Sequence, residues 1–491
     1  MNTDYDVIVA GAGIAGMVTA TSAAKHSQQA LKILVIDRNT RAEAGKKTAT
    51  GWICGDAVSQ GSLDYLQHEV GISYGSPELE HRVQGVVAYS PDHESKAAFE
   101  GEGYVVNRKL LPQRQLNDAE KRGIEFQFET YADSLIVEDG FIRGVHCRSS
   151  KDNSTFKRTA KLVVDATGSA SRLRTSLPIQ SYIEKEIDKE NDMESTGRYI
   201  LQFEAVRTDS TFFDPDTCII HLDQNIAPGG YAWVFPKGKD KMNVGLGIQK
   251  KILDRRNKQF GRNDTLQSLI DHYVKTNPVI GKWKLADGAE DKGNERGNWQ
   301  VPVRRQNDCM VANGYIIVGD AAWMPRPIDA GGIGPAIYAS TIAGKVVAEA
   351  LEANDTSENG IWKFNTEYVK TYGYRMASSE VLRRFLQILT NEDMNYGMKH
   401  FLSQDDVDKI IKREHPEFKR VSSFANPSRL LWALPRLALA RGLRYTAEKN
   451  LKLISHYMHY PTSPAGFPSW HDRFMAELRE AYARFSWNPS R

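Results

Sequence analysis

Three glycine-containing segments, each directly after a short apolar run, predict an α/β fold with a Rossmann-like nucleotide-binding domain. They are GAGIAG at residues 11–16, VVDATG ending at Gly168 and IIVGD ending at Asp320. At 491 residues the chain is too long for one hydrophobic core and needs two or three domains. Alternating aromatic residues between the second and third segments predict an inserted antiparallel sheet. Residues from about 371 onward predict a helical C-terminal region.

The first segment meets the structural conditions of a dinucleotide-binding turn. Tyr5–Ala10 is apolar and β-branched, which predicts a buried parallel strand, and a helix rich in small residues follows the glycines. Gly11 permits the tight turn, Gly13 lets backbone approach a pyrophosphate, and Gly16 lets helix pack on strand. Asp37 ends the second strand, where an acid suits an adenosine ribose without a 2′-phosphate. The cofactor-binding residues predicted here are Gly11, Ala12, Gly13, Ala15, Gly16, Asp37 and Arg38.

The second and third segments predict two further backbone passes along the same nucleotide. Residues 162–168 form a strand that runs into a glycine turn, and Asp320 ends another strand, where it would accept hydrogen bonds from ribityl hydroxyls. The glycine-rich stretch 327–334 leads into a helix whose amino terminus would stabilise negative charge at the N1/O2 edge of a reduced flavin. Taken singly, each segment also fits an ordinary strand end or helix cap. Together they predict tightly bound FAD, with contacts from Gly168, Gly319, Asp320, Gly331, Gly332 and Ile333.

The composition argues against several other classes of protein. Lysine and arginine number 64 against 61 aspartates and glutamates, and a net charge of +3 does not suit a nucleic-acid binder. The four cysteines are widely separated and the twelve histidines form no metal-binding pair, so we expect free thiols and no metal site. The sequence shows neither a signal peptide nor an apolar run long enough to span a membrane. We therefore expect a cytoplasmic protein.

The motifs GAGIAG, DATG and GDAA-x4-P-x3-GGIG together resemble those of flavoproteins with the p-hydroxybenzoate hydroxylase fold. Within that group the chain is similar to the geranylgeranyl reductases. Residues 228–236, followed after eight residues by Gly245-Leu-Gly247, reproduce the family's P-x-x-Y-x-W-x-F-P and G-x-G spacing, and Cys54-Gly55 reproduces its Cys-Gly step. The chain departs from the family at Ala330, where relatives usually carry a third glycine. The resemblance covers roughly residues 1–375.

This resemblance implies an FAD-dependent reductase that saturates the C=C double bonds of geranylgeranyl lipid chains by hydride transfer from reduced flavin. It implies that Cys54 and Gly55 lie beside the substrate side of the flavin ring. It also assigns the Arg108 guanidinium to the pyrophosphate, which this side chain can bind with two hydrogen bonds. Without the resemblance, Arg108 equally fits a solvated arginine at a helix start.

Tyr231, Trp233 and Phe235 alternate, so on a strand they share one face and would form an aromatic wall for an apolar chain. Tyr199 belongs to a second alternation that we expect to line the same cavity. Each aromatic also fits ordinary packing of the sheet. Cys54 and Tyr231 are the candidate catalytic residues, and these two and ordered water all stay open as the proton donor. A small buried hydrophobe is the other interpretation of Cys54.

The order of the segments predicts three parts. We expect an FAD-binding domain of residues 1–80, 106–175 and 310–370, a substrate-binding antiparallel sheet of residues 81–105 and 176–309, and a mostly helical region of residues 371–491. The polar stretch 184–194 predicts a mobile, solvated loop. Segment 430–443 is apolar with interspersed arginines, which favours core packing and leaves peripheral membrane contact as the alternative.

The electron donor and the reaction class stay open on sequence alone. No second strand–GxGxxG–helix unit exists for a nicotinamide cofactor, so either NADPH docks transiently or a ferredoxin delivers the electrons. An FAD-dependent monooxygenase or halogenase acting on an apolar substrate would use the same domain, and Lys46 and Lys47 offer the lysine that a halogenase needs. A non-catalytic prenyl-lipid carrier of related fold is the second alternative, and the full set of flavin-contacting segments argues against it.

Overall fold

The computed structural model describes residues 3–45, 54–286, 296–402 and 434–485, whose strands form two large sheets. In chain order the strands are β1 Tyr5–Ala10, β2 Ile33–Ile36, β3 Ala57–Ser59, β4 Leu79–Tyr89, β5 Lys96–Val106, β6 Glu125–Gln127, β7 Thr130–Glu138, β8 Phe141–Ser149, β9 Thr155–Asp165, β10 Met193–Ala205, β11 Cys218–His221, β12 Ala232–Pro236, β13 Lys241–Ile248, β14 Ile280–Leu285, β15 Arg296–Pro302, β16 Val311–Ala312 and β17 Tyr315–Ile317.

The helices cover these sheets and fill the C-terminal part of the chain. They are α1 Ile14–His26, α2 Gln60–Val70, α3 Leu110–Glu120, α4 Arg172–Thr175, α5 Lys250–Phe260, α6 Leu266–Thr276, α7 Ile333–Glu352, α8 Glu358–Ile361, α9 Lys363–Thr371, α10 Met376–Gln387, α11 Asn391–His400, α12 Leu437–Met458 and α13 Phe467–Phe485. Short 3₁₀ turns lie at Gly319–Ala322, Gly373–Arg375, Leu434–Arg436 and Pro464–Gly466.

The first sheet is parallel at its centre and brings the glycine segments together. Strands β17, β9, β1, β2 and β6 pair in that order, all in parallel. The segments with Gly11, Gly168 and Gly319 follow the carboxyl ends of β1, β9 and β17, which are direct neighbours. Carboxyl ends of parallel strands share one edge of a sheet, so the three segments meet there. This arrangement confirms the predicted fold class.

Helices α1 and α7 pack tightly because one glycine lets their backbones approach. A Cβ at Gly344 of α7 would lie 2.4 Å from the Cβ of Ser22 and 2.6 Å from the backbone nitrogen of Ala23. Ile14 and Ile333, the first residues of the two helices, belong to one apolar cluster. Both helices therefore start at the edge where the glycine segments meet.

The second sheet has the strand order β14-β10-β13-β12-β11-β4-β5-β3, and β15 also pairs with β10. Its pairing is antiparallel except between β4 and β11, which run in parallel. Ala57–Ser59 pairs with β5 in this sheet, although the sequence placed residues 1–80 in the FAD-binding domain. Pairing partners far apart in the chain decide to which sheet each strand belongs.

The polar stretch 184–194 is an exposed loop at residues 185–186 and 188–190, but the expectation of a solvated loop fails at its two ends. Glu184 accepts a hydrogen bond from Arg304 at 2.5 Å, and Asp192 accepts one from Arg383 at 2.8 Å. Asp192 is buried. Arginines from distant parts of the chain hold these two acids in place. A local count of charges does not reveal such partners.

A buried charge network joins the C-terminal helices to the loop before β16. Arg305 pairs with Asp308 at 2.6 Å, and its backbone N–H donates to Glu380 of α10 at 3.0 Å. Tyr457 of α12 donates to the Asp308 carboxylate, and His471 of α13 lies 3.2 Å from it. Burial favours the neutral acid, but Arg305 and the hydrogen bond from His471 hold the pKa of Asp308 well below its usual range.

Part of the apolar segment 430–443 packs into the core. Leu439 of α12 belongs to the main apolar cluster, Ala440 is buried, and a Cβ at Gly442 would lie 2.4 Å from the ring of Phe385. Residues 430–433 lie outside the described ranges. No helix within the described ranges combines the length and apolarity needed to cross a bilayer.

Candidate active site

Close backbone contacts shape the first glycine turn. Gly11 has a φ of 105°, and a Cβ there would lie 2.3 Å from the carbonyl oxygen of Ala166. A Cβ at Gly16 would lie 1.9 Å from the carbonyl oxygen of Gly11. At Gly13, by contrast, no atom of the described residues lies within 4 Å of the Cβ position. Gly13 therefore leaves room for a ligand, as a pyrophosphate at the amino terminus of α1 requires.

Asp37 closes this turn from the end of β2. Its Oδ2 accepts the backbone N–H of Ala12 at 2.8 Å, and its Oδ1 accepts that of Asn39 at 2.8 Å. Burial raises the pKa of Asp37, and these two N–H groups oppose the shift. The adjacent Arg38 is exposed. Asp37 thus holds the turn and stands where a ribose hydroxyl would donate to it.

Asp320 and Arg108 carry polar atoms that the described residues leave unsatisfied. Burial raises the pKa of Asp320 to about 6, opposed only by the charge of Arg108, and no hydrogen bond from the described residues offsets the burial. The Nη1 of Arg108 is buried, and no described group accepts its hydrogens. Gly168 and Gly319 turn the neighbouring backbone at φ values of 88° and 63°. Ribityl hydroxyls and a pyrophosphate would satisfy the carboxylate and the guanidinium, so these residues fit FAD.

The glycine-rich turn before α7 contains a strained alanine. Ala330 has a φ of 53°, the left-handed region that costs a residue with a Cβ roughly 1–2 kcal/mol. A glycine at this position would adopt this φ at little cost. Asp329 fixes the turn, because its Oδ1 accepts from Arg326 at 2.9 Å and from the backbone of Gly331 at 3.0 Å.

Tyr231 joins the second sheet to this turn. Its hydroxyl donates to the backbone carbonyl of Asp329 at 2.5 Å. Helix α7 then begins at Ile333, and Gly332 before it offers no side-chain cap, so the first N–H groups of the helix remain for a ligand. Burial raises the pKa of Tyr231 well above its usual value, and the charge of Asp329 adds to the shift.

The aromatic wall lies against the Cys-Gly step. Trp233 and Phe235 are buried in one cluster with Tyr231 beside them, which is the shared face that the alternation predicts. A Cβ at Gly55 would lie 2.8 Å from the ring of Phe235. A Cβ at Gly245, directly across the strand pair from Trp233, would lie 2.4 Å from the indole. The spacing of the P-x-x-Y-x-W-x-F-P and G-x-G motif thus places Gly245 against the Trp233 indole. The Cys54-Gly55 step lies against the Phe235 ring.

Tyr199 lies on the opposite face of the second sheet, so the expectation that it lines the same cavity is wrong. Tyr199 pairs with Val244, which pairs with Val234, so these three side chains share one face of the sheet. Trp233 is the neighbour of Val234 in the strand and therefore points to the other face. The Tyr199 hydroxyl donates to Asp271 of α6 at 2.6 Å. The alternation identified a strand, but only the register between strands decides which face of the sheet a side chain occupies.

Cys54 lies half-buried between the two sheets, packed against the cluster that contains Ile14 and Ile333. Its Sγ accepts the backbone N–H of Asp56 at 3.2 Å. Burial and the charge of Asp56 raise the pKa of the thiol, opposed mainly by Arg108. The side chain is therefore a neutral thiol rather than a thiolate.

A buried polar cluster that was not predicted from the sequence holds the Cys54 loop. Asn243 of β13 donates to the carbonyl oxygen of Cys54 at 2.7 Å and to Asp56 at 2.9 Å, and accepts the indole N–H of Trp233 at 3.0 Å. Lys237, directly after the last proline of the motif, donates to Asp56 at 3.3 Å. A signal was present, since Asn243 is a polar residue in an apolar strand and alternates in phase with the two glycines of the motif.

The fold and the site define a flavoprotein of p-hydroxybenzoate hydroxylase-like fold that binds FAD. A family model of an FAD-binding domain matches residues 95–197, and a model of the geranylgeranyl reductase catalytic domain matches residues 192–282. A digeranylgeranylglycerophospholipid reductase of Sulfolobus acidocaldarius is 34% identical over 95% of both chains. One of Methanothrix thermoacetophila is 27% identical over 88% of this chain and 99% of its own. The chain therefore belongs to the geranylgeranyl reductase family and is an FAD-dependent oxidoreductase.

Solved structures agree with this assignment. A geranylgeranyl bacteriochlorophyll reductase-like protein of Thermoplasma acidophilum superposes with a TM-score of 0.68 at 25% identity, covering 84% of this chain and 97% of that one. The myxobacterial chondrochloren halogenase superposes with a TM-score of 0.60 at 15% identity, covering 84% of this chain and 92% of its own, and so shares the fold alone. Lys46 and Lys47, on which the halogenase alternative rests, lie outside the described residues.

Proposed function

We propose that this protein saturates the C=C double bonds of geranylgeranyl chains carried by glycerophospholipids, with FAD as the immediate reductant. The relatives named for this activity supply the class of substrate. In the chain itself, the proposal rests on the aromatic wall of Tyr231, Trp233 and Phe235, which lies beside Cys54 and the glycine-rich turn. An isoprenoid chain offers only apolar surface, and aromatic rings bind such surface well.

The residues act mainly by position, since an isolated alkene has no carbonyl group for an oxyanion hole to polarise. When bound in its reduced form, FAD supplies a hydride to one alkene carbon. Trp233 and Phe235 would align the alkene and exclude water from it. Tyr231 would hold the glycine-rich turn at a fixed distance from that wall. Cys54, as a small neutral thiol, would fill the space between the loop and the substrate without placing charge there.

The proposal includes catalytic roles for Cys54 and Tyr231 and contacts to FAD from the glycine turns, Asp37, Asp320 and Arg108. It also divides the chain into an FAD-binding part, a substrate-binding sheet and a helical region. Electrons would arrive from NADPH or a ferredoxin. Anaerobic mixing of the oxidised protein with each donor, followed by flavin absorbance, distinguishes them, because only the true donor bleaches the flavin within the turnover time.

Peripheral membrane contact of a cytoplasmic protein belongs to this proposal too. Leu437 at the start of α12 is 44% exposed, and the sequence 430–433 shortly before it is apolar. Flotation of the full-length protein with vesicles that contain isoprenoid phospholipid tests the contact. Leu437→Glu should reduce flotation, and a variant that floats equally well would remove this segment from the interface.

The reaction itself is tested with dithionite-reduced protein and a geranylgeranylated phospholipid under anaerobic conditions. We expect flavin reoxidation together with a mass gain of two hydrogens per double bond. Trp233→Leu should lower kcat/KM for the lipid while flavin content stays unchanged, whereas Tyr199→Phe, on the other face of the sheet, should react as the parent does. A product that forms only with oxygen would instead favour the monooxygenase class.

A further inference from the structure

A carboxyl group stands on the substrate face of the second sheet without a strong partner. Glu194 lies on β10, where Thr196 pairs with Gly247 and Arg198 with Gly245. Since Gly245 also pairs with Trp233, the alternation puts Glu194 on the same face as the aromatic wall. The Oε2 of Glu194 is 3.1 Å from the position that a Cβ would take at Gly247. The absence of a side chain there leaves the space that this carboxyl group occupies.

The surroundings of Glu194 differ from those of a structural ion pair. The side chain is 5% exposed, and its Oε1 accepts a single long hydrogen bond, 3.3 Å, from Gln387 of α10. Within the described residues, no group donates to Oε2. Arg383, on the same helix, pairs with Asp192 at 2.8 Å instead. Burial of a carboxyl group without a close cation partner favours the neutral acid, whose proton is then available.

We propose that Glu194 is the acid that protonates the alkene. One alkene carbon receives the hydride from the reduced flavin, and the other receives the proton of Glu194. The π bond is replaced by two C–H bonds, the flavin is oxidised, and the Glu194 carboxylate regains a proton from water before the next bond is reduced. This inference deepens the proposed function and rests on it.

Three other groups face this carboxyl group or share its face. The Tyr231 hydroxyl already donates to the Asp329 carbonyl, and Arg198, four residues further along the strand, carries a guanidinium rather than an acid. Arg383 of α10 opposes the effect of burial. Burial still raises the pKa of Glu194 to about 7, so a large fraction of the acid is protonated at neutral pH and regains its proton readily.

Glu194→Gln keeps the shape and neutrality of the group and removes only its acidic proton. We expect the anaerobic reoxidation of the reduced flavin by lipid to slow by roughly 10²-fold or more, while FAD content and reduction by dithionite stay as in the parent. In the parent, this rate should fall as pH rises through about 7, because the acid loses its proton; in the variant it should not follow pH there. Glu204→Gln, at an exposed position near the end of the same strand, is the matched control and should behave as the parent.

A second measurement does not depend on turnover. Infrared titration of the oxidised holoprotein in D₂O should show a protonated carboxyl band that disappears as pH rises through about 7, is missing in Glu194→Gln and persists in Glu204→Gln. The assignment would be overturned if Glu194→Gln reoxidised its flavin at the parent's rate and with the parent's pH dependence. It would also be overturned if Glu194→Gln kept the protonated carboxyl band. If the parent itself failed to reduce the lipid while the band behaved as expected, the substrate proposal and not the acid would be at fault.

Discussion

Truncation of Asn243 should damage both the stability of the protein and the chemistry of its site. Asn243 is fully buried and makes three hydrogen bonds, with the Cys54 carbonyl, Asp56 and the Trp233 indole. In Asn243→Ala, Asp56 keeps Lys237, but the Cys54 carbonyl and the indole N–H lose their partner. A buried polar group left unpaired costs roughly 1–3 kcal/mol, so the two groups together predict a loss of about 2–6 kcal/mol in the free energy of unfolding.

Urea unfolding of the FAD-loaded protein, followed by tryptophan fluorescence, measures this loss as a shift of the midpoint. Asn263→Ala, at an exposed position, is the control and should stay within about 0.5 kcal/mol of the parent. The released Cys54 loop should also lower kcat more than it lowers flavin content. If Asn243→Ala and Asn263→Ala unfold at the same urea concentration, the cluster does not hold the loop and the reasoning fails.

Further predictions concern the cofactor site. Ala330→Gly should raise the unfolding free energy by about 1 kcal/mol, because it removes the Cβ from a residue with a φ of 53°; a lower thermal midpoint would contradict this. Gly13→Ala should fold normally yet purify with less FAD, whereas Gly16→Ala should fold poorly, since its Cβ would lie 1.9 Å from a backbone oxygen; visible absorbance and circular dichroism separate the two outcomes. The raised pKa of Asp320, about 6, means that the charged acceptor exists above that pH, so the Kd for FAD should increase as pH falls through 6 and lose this dependence in Asp320→Asn. Cys54→Ala should lose turnover more than FAD binding, and unchanged turnover would exclude Cys54 from the site.

Local patterns were sufficient for the FAD-binding strands and turns. The apolar run Tyr5–Ala10 and the glycines after it define a strand and a turn within sixteen residues, and the structure reproduces that strand with the same bounds. Likewise, the alternation of Trp233 and Phe235 identified a strand whose two aromatic rings share a face. In each case, the residues that determine the structure are neighbours in the chain.

The features that the sequence did not predict depend on distant partners. Tyr199 was assigned to the wrong face because the register between β10 and β13 is not visible in either strand alone. Asp192 looked solvated because Arg383 lies 191 positions away. Asn243 was overlooked because its role depends on the loop at Cys54, which reaches it only in the folded protein. The wrong or missing predictions concern contacts between residues far apart in the chain, whereas the correct ones concern residues that are neighbours in the sequence.

The network around Asp308 has a consequence for how the protein is made. Tyr457 and His471, which satisfy this buried acid, are synthesised about 150 residues after it. Until both leave the ribosome, the nascent chain holds a carboxylate that Arg305 alone must neutralise, in a region that is still open to water. Maturation of the first sheet is therefore expected to finish only after His471 has been synthesised, and polypeptides that terminate before Tyr457 should be substrates for cellular proteases.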